Sequence, residues 1–141
     1  MEKILKNKLI VQKYGGSSVA NVSKIKNAAK RIISYAKKGN RVVVVVSAMG
    51  DTTDELVALA KKINSAASER EMDMLVSTGE QISSSLLAMA IHKKGVDAIS
   101  FTGPQVGIIT DTYHTQAKIL KIETDRIKKE LAKKKIVIVA N

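Results

Sequence analysis

The sequence predicts an α/β protein organised on a mainly parallel sheet, and three observations carry that prediction. Arg41 is followed by five consecutive valines, Val42 to Val46. A β-branched run without alternation is what a strand covered on both faces looks like. Val22, Ile25, Ala28, Ala29, Ile32 and Ala36 recur at helical spacing between that run and an earlier apolar stretch, Leu9-Ile10-Val11. Strand, helix and strand then make a βαβ unit, expected right-handed. Finally, the first strand leads into Lys13-Tyr14-Gly15-Gly16-Ser17-Ser18-Val19 ahead of the helix.

That last stretch is the candidate site. Glycines let a backbone turn tightly and bring its N–H groups close to a ligand, and a helix start adds unpaired donors. Lys13 supplies a full positive charge one step before the turn. The geometry suits a phosphate, and an ordinary turn would also explain it. It is not a Walker A loop, because the lysine precedes the glycines.

Along the chain, the first strand is expected over Leu9 to Lys13 and the first helix from about Asn21 to Gly39-Asn40. After the valine strand, Thr52 and Glu55 have capping-box spacing, and Leu56, Leu59, Ala60 and Ile63 follow as a helical face. Capping leaves Ser47 and Thr53 unexplained at the carboxyl end of a buried strand, where open α/β sheets place ligands. Ala66-Ala67-Ser68 breaks the chain, and a second helix starts near Glu69 or Arg70. Its apolar face is read as Met72, Leu75, Val76, Ile82, Leu86, Met89 and Ala90. Glu80 then falls on the border of that face, where a solvated charge is the ordinary reading. The adjacent Gly79 weakens a helix by about 1 kcal/mol and permits close approach of a ligand or backbone.

Lys93-Lys94-Gly95 ends that helix. A third strand is expected over Val96 to Phe101, a turn at Thr102-Gly103-Pro104, and another strand over Val106 to Thr110. Ala117 to Ile122 fits a strand or a helix, and the strand is preferred. Thr124 is expected to cap a short helix through Ile127 and Leu131, before a last buried strand, Ile136 to Val139. His92 and His114 have no acidic partner at ligand spacing, so no residue is assigned to a metal. Tyr14 is read as a packing residue whose hydroxyl finds a partner.

Composition narrows the function classes. The 141 residues are 45% hydrophobic and only 3% aromatic, so the core is aliphatic and sized for one domain. No cysteine is present, which excludes disulfides and thiolate metal sites and fits a cytoplasmic protein. The first six residues lack the apolar core of a signal peptide, and no window reaches the roughly 18 apolar residues of a membrane span. The formal charge of +11 is spread as lysine pairs at segment ends, without aromatic interleaving. Solvated helix ends explain it, and nucleic-acid binding is not expected.

Taken together, Lys13-Tyr14-Gly15-Gly16-Ser17-Ser18-Val19, Val45-Val46-Ser47-Ala48-Met49-Gly50-Asp51-Thr52-Thr53-Asp54, Met74-Leu75-Val76-Ser77-Thr78-Gly79-Glu80 and Ser100-Phe101-Thr102-Gly103 resemble the aspartokinases of the amino-acid kinase family, in order and separation. The likeness runs from about residue 8 to 140. Another amino-acid kinase, such as a glutamate or acetylglutamate kinase, is the alternative of the same fold; related kinases share the sheet and the glycine turn but not the Ser-Ala-Met-Gly-Asp-Thr-Thr block. The resemblance implies a three-layer α/β/α sandwich with a mainly parallel sheet. It implies transfer of the γ-phosphoryl group of ATP, with Mg²⁺, to the side-chain carboxylate of L-aspartate, the first step of lysine, threonine and methionine biosynthesis.

By the same resemblance, Lys13 stabilises the moving phosphoryl group, and Tyr14, Gly15, Gly16 and Ser17 form the phosphate turn. Ser47, Thr53 and Glu80 hold the amino acid. A homo-oligomer is implied for the full-length enzyme. The family's Gly-Arg-Gly-Gly-Ser-Asp block, nucleotide lobe and ACT regulatory domains are missing. Residues 1–141 are therefore read as a partial kinase domain, the amino-acid-binding lobe, inactive by itself. A non-catalytic basic binding module is the alternative from another class.

Overall fold

A computed structural model describes residues 7–140. Its elements in chain order are β1 (Leu9–Tyr14), α1 (Val22–Lys37), β2 (Arg41–Val46), α2 (Thr52–Ile63), α3 (Glu69–Lys93), β3 (Ala98–Phe101), β4 (Ile108–Thr110), β5 (Ile119–Ile122), α4 (Asp125–Ala132) and β6 (Ile136–Ala140). Short 3-10 turns cover Gly16–Val19 and Pro104–Val106. β1, β2, β6 and β3 form one sheet in that order, every pair parallel, while β4 and β5 make a separate antiparallel hairpin.

The valine run shows why the sheet is covered on both sides. Val42, Val44 and Val46 enter an apolar cluster with Ile25, Ala28, Ala29 and Ile32 of α1 and Leu87, Ala88 and Ile91 of α3. Val43 enters a second cluster with Phe101, Val106 and Leu131 of α4. β6 divides in the same way: Ile136 and Ile138 join the first cluster, Val137 and Val139 the second. α1 and α3 thus lie on one face and α4 on the other, giving the three-layer α/β/α arrangement.

The helix ends show where local rules hold. The Asn21 side chain accepts from Lys24 N at 2.9 Å, so α1 starts at the expected residue, and a 3-10 turn separates it from the glycines. Ser68 caps α3 by accepting from Glu71 N at 3.3 Å. The expected capping box at Thr52 does not form. Asp51 occupies the cap position without a side-chain bond, and its carbonyl already accepts from Glu55 N, which places Thr52 inside the first turn. Thr124 likewise stands at the head of α4 with αR backbone and no side-chain cap bond. The expected strand at Val106 to Thr110 shortens to Ile108–Thr110, because Val106 ends the 3-10 turn that Pro104 begins.

Two apolar faces are corrected. No residue of α2 is buried, and Leu59 and Ile63 are exposed, because α2 packs mainly on α3 rather than on the sheet. In α3 the inward residues are Gly79, Ser83, Ser84, Leu87, Ala88 and Ile91, while Ile82, Leu86 and Met89 of the expected face point outward. Small residues let α3 lie close against the sheet and α1. Glu80 therefore sits on the inner side of the helix and not on a border.

Candidate functional site

In parallel register Lys13 lies opposite Val45 and Tyr14 opposite Val46, which puts the carboxyl ends of β1 and β2 side by side. Ser47 N donates to Tyr14 O at 3.0 Å, continuing the ladder one residue past the strands. Beyond it the two exits are stitched together, since Gly50 N donates to Gly16 O at 2.9 Å. The stitch requires a glycine at 16. A Cβ there would sit 2.9 Å from Ala48 O and 3.0 Å from Gly50 O, and neither backbone oxygen can swing away. Gly15 is different. Its backbone is extended, with φ of −76°, and a Cβ there would meet nothing within 4 Å. The protein's own packing therefore does not demand a glycine at 15; an approaching ligand would.

α3 supplies the second wall. A Cβ on Gly79 would lie 3.1 Å from Ala48 Cβ and 3.2 Å from Thr52 Cγ2, so glycine brings the helix against the loop between β2 and α2. One turn later the fully buried Ser83 donates from Oγ to Ser47 O at 2.6 Å. That bond ties the end of β2 to α3 across the core. Glu80 lies between these two anchors, half-buried, and makes no ion pair among the described residues. Loss of water around its carboxyl pushes its pKa up to about 7. An uncompensated carboxylate in a partly dry position is disposed to take a cation.

The expected site residues fall into two groups. Ser47 at the β2 exit and the half-buried Glu80 of α3 are brought together through Gly79 and Ser83, while the exposed Thr53 lies in the first turn of α2, next to the Thr52 that Gly79 meets. Lys13, Gly15, Gly16 and Ser17 belong to the β1 exit, with Lys13 exposed. Tyr14 contributes its carbonyl to the ladder; its ring is 9% exposed in the core and its hydroxyl donates to Gln12 Oε1 at 3.1 Å. Two shallow depressions flank Tyr14 along the outer edge of β1, and Arg31 of α1 lines both, with Ser17 and Lys24 in one and Lys13 in the other. Lys24 Nζ also donates to Ser17 O at 2.9 Å, fastening the turn to α1.

Ser83 and Arg31 were not singled out from the sequence. The only signal for Ser83 is a Ser-Ser-Ser run inside a long helix, and Arg31 looks like any polar residue of an amphipathic helix. His114 does have an acidic partner: its Nδ1 is 3.1 Å from Asp73 Oδ2, which also accepts from Thr115 N. The two residues are 41 positions apart, a separation that ligand spacing does not reveal. His92 Nε2 instead lies 2.7 Å from Ala98 O. Among the described residues no three His, Asp or Glu side chains converge into a metal-ligating cluster. None of the described helices is long and apolar enough to cross a membrane.

The model of the amino acid kinase family matches residues 8–141. The chain is 59% identical over 132 residues to an aspartokinase of Bacillus sp. strain MGA3, covering 94% of this chain and 32% of that protein. It is 58% identical over 132 residues to aspartokinase 2 of Bacillus subtilis strain 168, with the same shares covered. The chain thus spans about a third of the length of the curated relatives it matches. Among solved structures, an aspartate kinase from Synechocystis superposes with a TM-score of 0.81 at 47% identity, over 94% of this chain and 21% of that one. Escherichia coli aspartokinase III in complex with aspartate and ADP superposes at 0.75 over 95% of this chain and 40% of that one, but at 21% identity it speaks for the fold alone.

Proposed function

The chain belongs to the amino acid kinase family, and from that premise we propose that it is the part of an aspartate kinase that holds the amino acid and the transferring phosphoryl group. The reaction proposed is attack of the L-aspartate side-chain carboxylate on the γ-phosphorus of ATP, with ADP leaving. Phosphoryl transfer of this kind needs positioning and charge stabilisation more than covalent help.

The single observation that carries the reading is Glu80. It is a half-buried carboxylate with no ion-pair partner among the described residues, in a chain of net charge +11. It stands beside the glycine that touches Ala48 and Thr52. A substrate ammonium supplies the missing partner, and the hydroxyls of Ser47 at the β2 exit and Thr53 in the first turn of α2 complete the proposed amino-acid site. On the β1 side, Lys13 brings a positive charge for the transferring group. Gly15, Gly16 and Ser17 present backbone N–H groups around a turn that Gly15 leaves open. Mg²⁺, if it accompanies the nucleotide, would neutralise phosphate charge. The described residues form no cluster that fits it as a ligand set, so no step here runs through it.

The test uses a chimera in which this chain replaces the matching third of the Bacillus subtilis relative. The expected result is ADP release that depends on aspartate. Within that chimera, Glu80→Gln keeps shape and hydrogen bonding but removes the charge. The expected loss is about 2–4 kcal/mol in kcat/KM for aspartate, roughly 30- to 1000-fold, with the KM for ATP little moved. Wild-type aspartate kinetics in the variant would remove Glu80, and the amino-acid site with it. Steady-state kinetics with each substrate varied in turn decides the matter.

A further inference from the structure

The β4–β5 hairpin is fastened at both ends and bare between them. At its base Glu123 N donates to Gly107 O at 2.8 Å, and the antiparallel pairing reaches Asp111, whose N donates to Lys118 O at 3.0 Å. Asp111 Oδ1 also accepts from Tyr113 N and Lys118 N, both at 3.2 Å, which closes residues 111–118 into a loop. At the tip, Asp73 of α3 holds that loop twice: its Oδ2 accepts from Thr115 N at 3.1 Å and lies 3.1 Å from His114 Nδ1. Thr115 donates there with φ of 65°, a left-handed backbone that a β-branched residue adopts only where its surroundings impose it. Between base and tip, most residues of β4 and β5 are exposed.

The clasp stands at the end of the sheet that carries the site. α3 runs back along the strands, since Ser83 bonds to Ser47 at the carboxyl end of β2 and His92 lies at Ala98, where β3 begins. The part of α3 before Ser83 therefore projects past the carboxyl end of the sheet, by about 15 Å at Asp73 for a rise of about 1.5 Å per residue. Asp73 and Glu80 are close to two full turns apart, so they share one face of the helix. The hairpin starts from the same end. Phe101, the last residue of β3, is in register with Val139, and through it with Val45 and Lys13. The arm thus rises from the carboxyl end of β3 and is pinned to the overhanging face of α3 that carries Glu80.

We propose that Asp73 and His114 are positioning residues of the amino-acid site: their clasp holds the β4–β5 hairpin as a strap beside the space in front of Glu80, and retains the amino acid there. The inference rests on the placing of the amino acid at Glu80. Both side chains of the clasp are partly exposed, so the contact is weak enough to open as the amino acid enters and leaves.

The chimera carries the test. Asp73→Ala and His114→Ala are each expected to raise the KM for aspartate about three- to tenfold, with kcat and the KM for ATP unmoved. The double variant is expected to do no more than either alone, because both changes undo one clasp. Asp73→Asn keeps an acceptor oxygen for Thr115 N and is expected to recover most of the loss. Amide hydrogen exchange reads the strap without turnover: aspartate is expected to slow exchange over residues 111–118, and Asp73→Ala to abolish that slowing. Aspartate kinetics like wild type in both single variants, beside an impaired Glu80→Gln, would overturn the strap and leave the amino-acid site standing. Wild-type aspartate kinetics in Glu80→Gln would remove both. A fall in thermal stability with both KM values rising together would mark the clasp as a structural contact only, and overturn its positioning role. Should one alanine variant fail to fold, the other, on a separate element, decides.

Discussion

Gly15 and Gly16 are neighbours of one type under opposite demands, and that contrast separates packing from ligand binding. A Cβ on Gly16 meets two backbone oxygens at 2.9 and 3.0 Å, whereas one on Gly15 meets open space. Gly16→Ala is therefore expected to cost about 1–3 kcal/mol of stability through forced backbone shifts. Gly15→Ala is expected to be neutral, or to stabilise by up to about 1 kcal/mol by narrowing the unfolded chain, because φ of −76° suits alanine. In the chimera the same Gly15→Ala should raise the KM for ATP about tenfold or more, which corresponds to at least about 1.4 kcal/mol of lost binding. Urea denaturation and ATP kinetics on the two variants check both halves, and an unchanged KM would leave the phosphate turn without its open side. Glu80 gives a second contrast, read through pH. Its pKa is raised from an ordinary 4.5 to about 7 by desolvation, so the folded state keeps a proton that the unfolded state has lost between those values. Its contribution to stability is present below about pH 4.5 and is lost as pH rises through about 7. Glu80→Gln should remove that downward slope and be at least as stable as wild type at pH 8, as denaturation curves from pH 4 to 8 would show. A wild-type slope in the variant would mean the carboxylate is solvated.

α3 is the element on which sequence and structure part most clearly. Leu86 and Leu87 are adjacent and chemically identical, yet Leu86 is 38% exposed and Leu87 is fully buried between α1 and the sheet. Leu87→Ala is expected to cost about 2–5 kcal/mol, and Leu86→Ala within about 0.5 kcal/mol. Thermal or urea unfolding at low protein concentration measures both, and equal costs would contradict the assigned faces. Periodicity could not make this distinction. Apolar spacing reports one stripe well, but α3 has two, and four of the six buried residues of the inner one, Gly79, Ser83, Ser84 and Ala88, carry little hydrophobic signal beside Leu87 and Ile91. β2 was legible for the opposite reason, since five valines leave no doubt that both faces are covered. The ends of α1 and α3 were legible because Asn21 and Ser68 make the bonds their types favour. The start of α2 was not, because the tight Gly16–Gly50 stitch, rather than a side-chain cap, sets where that helix begins.

At the scale of the molecule, the candidate site draws together chain segments more than sixty residues apart at one end of the sheet. Lys13 leaves β1, Ser47 leaves β2, and Ser83 binds α3 to Ser47, which sets Glu80 on the same end. Each motif could be read in the sequence, but their convergence depends on a long-range hydrogen bond and on a glycine contact between elements. The arrangement separates two tasks. In the proposed function Lys13 of β1 acts on the transferring group and Glu80 of α3 on the bound amino acid. Lys13→Ala in the chimera is therefore expected to lower kcat by about 100- to 1000-fold, equivalent to roughly 2.7–4 kcal/mol, with the aspartate KM nearly unchanged. Because the proposed function sets the two side chains on different groups of the substrates, Lys13→Ala and Glu80→Gln should combine additively in free energy, within about 0.5 kcal/mol in kcat/KM for aspartate. A double-mutant cycle on the chimera measures the coupling directly. A coupling well above that value would mean that both residues grip one group, and a Lys13 effect confined to the aspartate KM would move the lysine from the phosphoryl group to the amino acid.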